Sequence, residues 1–419
     1  MSEFKGIHQD RLKLRFLRPE GKISRRELLK LVLPCYQVVP FIEPTLCRGS
    51  QECGLCLDTC PLKAIRVEAG EVVIDTTLCS GCGACIAACP HRAIVYPTFS
   101  LEQLDKEMEG LLLSGGIPLE PRIMALICHS CLPAPGEDKA ARLTYPPNVL
   151  PLEIPCLAMA SPWLMLRAFD RGAQGLVLIS SRRRCSVGLG SNSWQENIRF
   201  VQGLLSHWDI EPERIKTFDV ADDSCNVAQE LGQFAQEMAR LAPTPLRACE
   251  PTLVPGDGLL LPALIKGLGN RLGGSSKGAV TAGMVPFGKL ELDGSQCTGC
   301  GLCARDCPTE ALTASLSEEA DTYQLLFRHE LCVACGRCID VCPEKCLRLE
   351  RLLELDKIDI PAAVLLEDRI ARCRECGSII GSRAMIARLQ AKLQAAEDSF
   401  TSQFELCPRC KIEVSVWTY

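Results

Sequence analysis

Cysteine thiolates are strong ligands for soft metals, and this chain spaces them in a repeating pattern. The stretches CLDTCPLKAI, CIAACPHRAI, CARDCPTEAL and CIDVCPEKCL occupy 56–65, 85–94, 303–312 and 338–347 as four copies of one half-motif. Three of them complete a C-x2-C-x2-C-x3-C-P run: Cys79, Cys82, Cys85 and Cys89; Cys297, Cys300, Cys303 and Cys307; Cys332, Cys335, Cys338 and Cys342. The first copy is stretched to C-x5-C-x2-C-x3-C-P through Cys47, Cys53, Cys56 and Cys60. Such a loop presents three thiolates to one corner of a cube, which is iron–sulfur chemistry. Glycines at 54, 81, 83, 299, 301 and 336 let the backbone approach the cluster, and the proline after the fourth cysteine ends the loop. Zinc at C-x2-C pairs explains neither the even triple spacing nor the repeated C-x3-C-P.

These runs resemble the bacterial dicluster ferredoxins, over roughly residues 43–97 and 291–350. The resemblance implies two βαβ-like units, each holding two [4Fe–4S] clusters, with the fourth cysteine of each run crossing to the other cluster. It assigns Cys47, Cys53, Cys56 and Cys89 to one cluster and Cys79, Cys82, Cys85 and Cys60 to its neighbour. In the second unit it pairs Cys297, Cys300 and Cys303 with Cys342, and Cys332, Cys335 and Cys338 with Cys307. Three extra residues between Cys47 and Cys53 depart from the pattern but leave all four ligands in place. Cys346 stands where the other copies have Ala64, Ala93 and Ala311, and reads as a packing residue. His91 reads as a surface residue.

Between these units the periodicity changes. RIMALIC (122–128), VLPLEIP (149–155) and GLVLISS (175–181) are apolar runs of strand length. Amphipathic stretches 162–172, 193–208 and 226–242 separate and follow them, which predicts a parallel sheet with helices on its faces. Cys128 and Cys131 then follow the first strand, Cys156 the second and Cys185 the third. Ligands of open α/β sheets gather at the carboxyl ends of strands, so four thiols meet on one edge if the strand order allows. YPPNVLPLEIPC (145–156), AFDRGAQGLVLI (168–179), Cys185 with GSN (190–192), and EPERIK (211–216) resemble the iron–sulfur delta subunit of methyl-viologen-reducing hydrogenases over about 120–240. That resemblance implies a [2Fe–2S] cluster on Cys128, Cys131, Cys156 and Cys185, passing electrons to a flavin-containing heterodisulfide-reductase-type partner. The family's further cysteine, about five residues before the last, is Ser180 here, leaving no spare ligand. The alternative is four buried thiols in a core without a cluster. Arg182, Arg183 and Arg184 beside Cys185 would stabilise a reduced cluster, dock an acidic partner, or be a solvated charge run.

CREC (373–376) and CPRC (407–410) form another kind of site. Two C-x2-C knuckles, Cys373 with Cys376 and Cys407 with Cys410, suit a structural tetrahedral zinc, with an iron–sulfur cluster or rubredoxin-type iron as alternatives. Residues 382–397 between them have helical spacing at Met385, Ile386, Leu389 and Leu393. The glycine-rich stretch 246–290 reads as a linker. Its GLGNRLGG (267–274) has Leu272 where a dinucleotide loop needs glycine, and no phosphate-binding loop is visible, so no nucleotide cofactor is expected. Cys35, Cys225 and Cys249 lack partners at ligand spacing and read as packing residues.

These sites need elements to hold them, and 419 residues with 47% hydrophobic content supply several domains. Twenty-eight cysteines, mostly as C-x2-C units, point to metal rather than to a secreted disulfide scaffold. The net charge of −5, made more negative by ligated thiolates, argues against nucleic acid as partner. No apolar run is long enough for a transmembrane segment. SRRELLKLVLP (24–34) resembles a twin-arginine signal, but Lys30, Pro34 and Gln37 interrupt it and no A-x-A site follows, so it reads as a basic helix in a cytoplasmic protein.

The expected fold is α+β and α/β multidomain: a basic segment 1–42, a dicluster ferredoxin-like unit 43–97, and a central open parallel α/β sheet domain 98–245. A linker 246–290, a second dicluster unit 291–352 and a small zinc-ribbon-like C-terminal clip 353–419 complete it. The expected function is electron relay without substrate chemistry. It runs between a hydrogenase, formate dehydrogenase or ferredoxin donor and a heterodisulfide-reductase-like flavoprotein. The competing reading is an enzyme that reduces a small substrate at an incompletely ligated central cluster.

Overall fold

The computed structural model describes residues 39–49, 53–113, 119–131, 145–181, 185, 193–220, 224–246, 260–272, 278–394 and 404–416. The basic N-terminal segment expected to be helical, Cys35, Cys249, the arginine run 182–184 and the GSN at 190–192 lie outside them, as does the side chain of Cys225. The chain divides into two compact units. One comprises 1–50, 54–275 and 282–284; the other comprises 51–53, 276–281 and 285–419.

The first unit begins with an outer antiparallel pair, β1 (Phe41–Ile42) with β4 (Ile94–Val95), around a hairpin of β2 (Ile65–Glu68) and β3 (Glu71–Ile74). Ala69 and Gly70, both at positive φ (50° and 88°), make the two-residue turn whose twist suits a hairpin. Short helices α1 (Leu55–Thr59) and α2 (Ala84–Ala88) start at Gly54 and Gly83, left-handed at φ 78° and 74°.

Next comes α3 (Leu101–Leu113), which buries Leu104, Met108 and Leu112, one residue per turn on a single face. Four parallel strands follow: β5 (Ile123–Cys128), β6 (Val149–Ile154), β7 (Gly175–Ser180) and β8 (Ile215–Asp219), in the order β6-β5-β7-β8. β5 is buried throughout and β7 nearly so, as central strands covered on both faces must be. β6 carries Pro151, which removes a backbone donor and suits the edge place that strand occupies. β8, the opposite edge, buries only Ile215 and Phe218, and the sequence reading missed it. Around the sheet lie α4 (Pro162–Asp170), capped by the Ser161 hydroxyl accepting from the Leu164 amide, α5 (Ser193–His207) and α6 (Ser224–Arg240).

The linker reading of 246–290 fails at its centre. Residues Leu260–Arg271 form a helix, α7, that packs on α4 and buries Leu264, Ile265 and Leu268. Its apolar spacing outweighs the helix-weakening glycines at 267 and 269.

The second unit repeats the ferredoxin order. β10 (Gly288–Leu292) pairs antiparallel with β13 (Leu347–Arg351), outside a hairpin of β11 (Leu312–Ser317) and β12 (Thr322–Phe327). Helices α8 (Leu302–Arg305) and α9 (Arg337–Asp340) again start at left-handed glycines, Gly301 and Gly336. A small ladder joins β9 (Ala279–Val280) to β14 (Leu353–Glu354).

The C-terminal region is not a detached clip. β15 (Ala363–Arg372) adds to β12, and β16 (Ile379–Ser382) adds to β15, giving one sheet in the order β11-β12-β15-β16. Helix α10 (Arg383–Gln394) follows, within the stretch of helical spacing, and α11 (Pro408–Val416) closes the described chain. Among the described residues no helix is long and apolar enough to cross a membrane.

Candidate iron–sulfur and metal sites

The cysteine loops take one backbone shape. The residue two after the first cysteine of the run is left-handed in each of the three regular copies: Gly81 (φ 71°), Gly299 (63°) and Ala334 (50°). The residue three after the bridging cysteine is also left-handed in all four: Lys63, Arg92, Glu310 and Lys345. These turns aim backbone N–H groups at sulfur. Ala64 N donates to Cys60 Sγ at 3.3 Å, Ala93 N to Cys89 Sγ at 3.3 Å, Leu312 N to Cys307 Sγ at 3.4 Å and Gly299 N to Cys297 Sγ at 3.5 Å.

Two cavities show how the thiols converge. Cys79, Cys82 and Cys85 line one together with Cys60. Cys297, Cys300, Cys303 and Cys342 line the other. Cys307 lies within electrostatic reach of Cys332, Cys335 and Cys338, as Cys47 does of Cys89. Cys53 sits in the turn before α1.

As free thiols these groups are poorly placed. Burial, then the charge of neighbouring thiols, pushes Cys303 and Cys338 each up to about 12, and burial does most to raise Cys332 to about 12. Crowded buried thiolates with N–H donors aimed at them need a cation among them, and iron supplies it. The residues fit cubane clusters: four thiols around each of two cavities, loops that turn at left-handed positions, and amides aimed at sulfur.

The middle domain places Cys128 and Cys131 at the carboxyl end of β5 and just after it, and Cys156 just after β6. β5 and β6 are neighbours, and hydrogen bonding between the two thiols lowers Cys128 and raises Cys156. Cys128 Sγ also lies 3.1 Å from Ser130 Oγ. Cys131 turns instead toward β7, its thiol 3.5 Å from Ile179 O. Cys185 follows β7, half-buried, with undescribed residues on both sides.

This group abuts the first ferredoxin unit. The 3-10 turn Leu157–Met159 packs on α2. A Cβ at Gly83 would lie 3.2 Å from Met159 Cβ, Cγ and Sδ. Cys82 is among the charges that act on Cys156.

In the second unit Cys373, Cys376, Cys407 and Cys410 come together with all four sulfurs within 4.8 Å of one another. Cys376 and Cys407 are 3.6 Å apart, and the Cys410 amide donates to Cys407 Sγ at 3.4 Å. The Cys410 amide leads the donors that hold Cys407 below the usual thiol range. At Cys373 burial pushes up, but the amides of Cys376 and Cys407 outweigh it and lower the thiol. Hydrogen bonding to Cys376 and Cys407 raises Cys410. Four sulfurs this close fit one tetrahedral ion.

Several residues escaped sequence reasoning. Ser382, fully buried on β16, donates from Oγ to Thr298 O at 2.6 Å, tying the C-terminal hairpin to the Cys297 loop. Tyr323 lies along that same loop. No local motif announces either contact. Cys346 is buried as expected, yet its sulfur is 3.6 Å from Cys342 Sγ. His91 is half-buried rather than exposed.

Comparison with known proteins agrees with this layout. Residues 290–349 match the 4Fe-4S dicluster domain and 72–95 the 4Fe-4S binding domain, so the chain is an iron–sulfur protein built on ferredoxin domains. Residues 123–242 match the methyl-viologen-reducing hydrogenase delta subunit, so the domain between them is of that kind.

The vhu iron-sulfur subunit of the F420-non-reducing hydrogenase from Methanococcus voltae is 25% identical over 30% of this chain and 98% of its own length. Its counterpart in Methanocaldococcus jannaschii is 26% identical over 31% of this chain and 99% of its own. The A component of the ferredoxin:CoB-CoM heterodisulfide reductase from Methanosarcina mazei is 24% identical over 48% of this chain but only 25% of its own length.

Proposed function

We propose that the chain is the multi-cluster electron-transfer subunit of a redox complex, carrying four [4Fe–4S] clusters, one [2Fe–2S] cluster and one structural zinc. The cubane ligands are the four sets given above. Cys128, Cys131, Cys156 and Cys185 hold the [2Fe–2S] cluster, and Cys373, Cys376, Cys407 and Cys410 hold the zinc. Dicluster units over 43–97 and 291–352 flank the delta-subunit-like domain. When bound, the clusters supply one-electron storage and transfer.

The observation that carries the reading is the seating of Met159 beside Gly83, so close that an added Cβ would lie 3.2 Å from its side chain, which brings the Cys79–Cys85 loop onto the turn after Cys156. A relay requires redox groups held close and dry, and burial of Cys85, Cys128 and Cys131 provides this within one unit. Relatives named as subunits of a hydrogenase and of a heterodisulfide reductase support redox subunits as partners; the reading takes a hydrogenase or formate dehydrogenase on one side and a heterodisulfide-reductase-like flavoprotein on the other.

The first test is an iron, sulfide and metal count on the anaerobically purified chain. The reading expects about 18 iron, about 18 sulfide and about one zinc. About 16 iron would remove the central cluster, and near 20 without zinc would put a cluster in the C-terminal site. Steady turnover of a small substrate without added subunits would overturn the relay in favour of an enzyme.

A further inference from the structure

Tyr323 is 5% exposed, on β12. Its hydroxyl is shut off from water and has no hydrogen-bond partner among the described residues. Buried hydroxyls are almost always paired, so an orphan marks a place where an acceptor is missing. Two neighbours show where the ring lies. A Cβ at Gly301 would be 3.4 Å from Tyr323 Oη, and one at Gly299 would be 3.1 Å from Cε1. Both glycines belong to the loop that carries Cys297, Cys300 and Cys303.

A phenol, with an ordinary pKa of about 10, keeps its proton at neutral pH. It is therefore a donor, and the acceptors such a loop gains when loaded are sulfur atoms.

We propose that Tyr323 donates a hydrogen bond from its hydroxyl to the cluster on the Cys297–Cys303 loop and thereby raises that cluster's reduction potential. An added electron makes the cluster more negative, and a fixed O–H dipole pointing at it stabilises that state. The first unit has no tyrosine at the equivalent position. Tyr323 lies nine residues before Cys332, and the residue nine before Cys79 is Gly70, in the turn of the shorter β2–β3 hairpin.

This inference rests on the cluster assignment above, and its test separates the two. Tyr323→Phe keeps the ring and removes only the hydroxyl. The full-length variant and wild-type chain are purified without air, counted for iron and sulfide, and titrated potentiometrically with electron paramagnetic resonance detection. The expected result is an unchanged count, one midpoint moved to more negative potential, and the others unmoved. The hyperfine signal of one exchangeable proton near the reduced cluster disappears with the hydroxyl. Unmoved midpoints with full iron would overturn the proposal. So would loss of about four iron in the variant, which would make Tyr323 a packing prop. A wild-type chain without iron on this loop would overturn the cluster assignment itself, and the hydrogen bond with it.

Discussion

Gly299 offers a test of how tightly the C-terminal sheet grips a cluster loop. It sits at φ +63°, and an added Cβ would meet Ser382 Oγ at 2.8 Å, Ser382 Cβ at 3.1 Å and Tyr323 Cε1 at 3.1 Å. None of these atoms yields easily. Ser382 Oγ donates to Thr298 O at 2.6 Å and accepts from the Met385 amide at 3.2 Å, and the tyrosine ring is buried. Gly299→Ala therefore adds an overpacking cost of about 1–3 kcal/mol to a left-handed backbone cost of about 1–2 kcal/mol. The sum, about 2–5 kcal/mol, is roughly thirty-fold or more in the local folding equilibrium. Gly336→Ala is the control. It carries φ +81° but would meet nothing within 4 Å, so only the backbone term applies. Ala334, at φ 50° in the position equivalent to Gly299, shows that an alanine is tolerated there when its surroundings allow it. The assay is denaturant unfolding of both anaerobic variants with iron content followed in parallel. Equal losses in the two would refute the claim that Ser382 and Tyr323 clamp the loop.

Asp105→Ala removes a carboxylate that Arg167 and Arg171, 4% and 5% exposed, both bond at 2.8–3.0 Å, leaving Arg167 with Asp170 and Arg171 with Glu109; about 1.5–3 kcal/mol should be lost in denaturant melts. Cys407→Ser should lower bound zinc from about one per chain toward none in elemental analysis while leaving iron unchanged, and retained zinc would refute the four-thiol site. His329 is buried, donates from Nδ1 to Gly288 O at 3.1 Å and accepts at Nε2 from the Glu354 amide at 2.9 Å. Burial lowers its pKa, so its neutral form stabilises the fold above its unfolded value near 6.5, and that stability is lost as pH falls below it. Stability measured from pH 8 to pH 5.5 should fall more steeply in the wild-type protein than in His329→Gln.

The cysteine loops were legible because such a loop is a local object. Spacing within a dozen residues fixes which thiols a turn presents, and left-handed glycines such as Gly83 and Gly301 mark where it bends. The strands β5, β6 and β7 were legible for a similar reason, as runs of apolar residues bounded by turns. β8 was not, because its five residues bury only Ile215 and Phe218, too few to stand out. α7 was hidden by the glycines around it, since composition averages over a window while packing needs only Leu264, Ile265 and Leu268 on one face.

What the sequence by itself determined is the placing of the thiols: four ferredoxin-type loops, cysteines at the ends of parallel strands, and two C-x2-C pairs. What only tertiary structure decided is the company each site keeps. Pairing of β12, β15 and β16 carries Ser382 to Thr298 across 84 residues and lays Tyr323 along the same loop. Packing of the 157–159 turn on α2 brings Met159 to Gly83. Strand register and helix packing join residues far apart in sequence, and no local spacing encodes which distant surface will cover a loop.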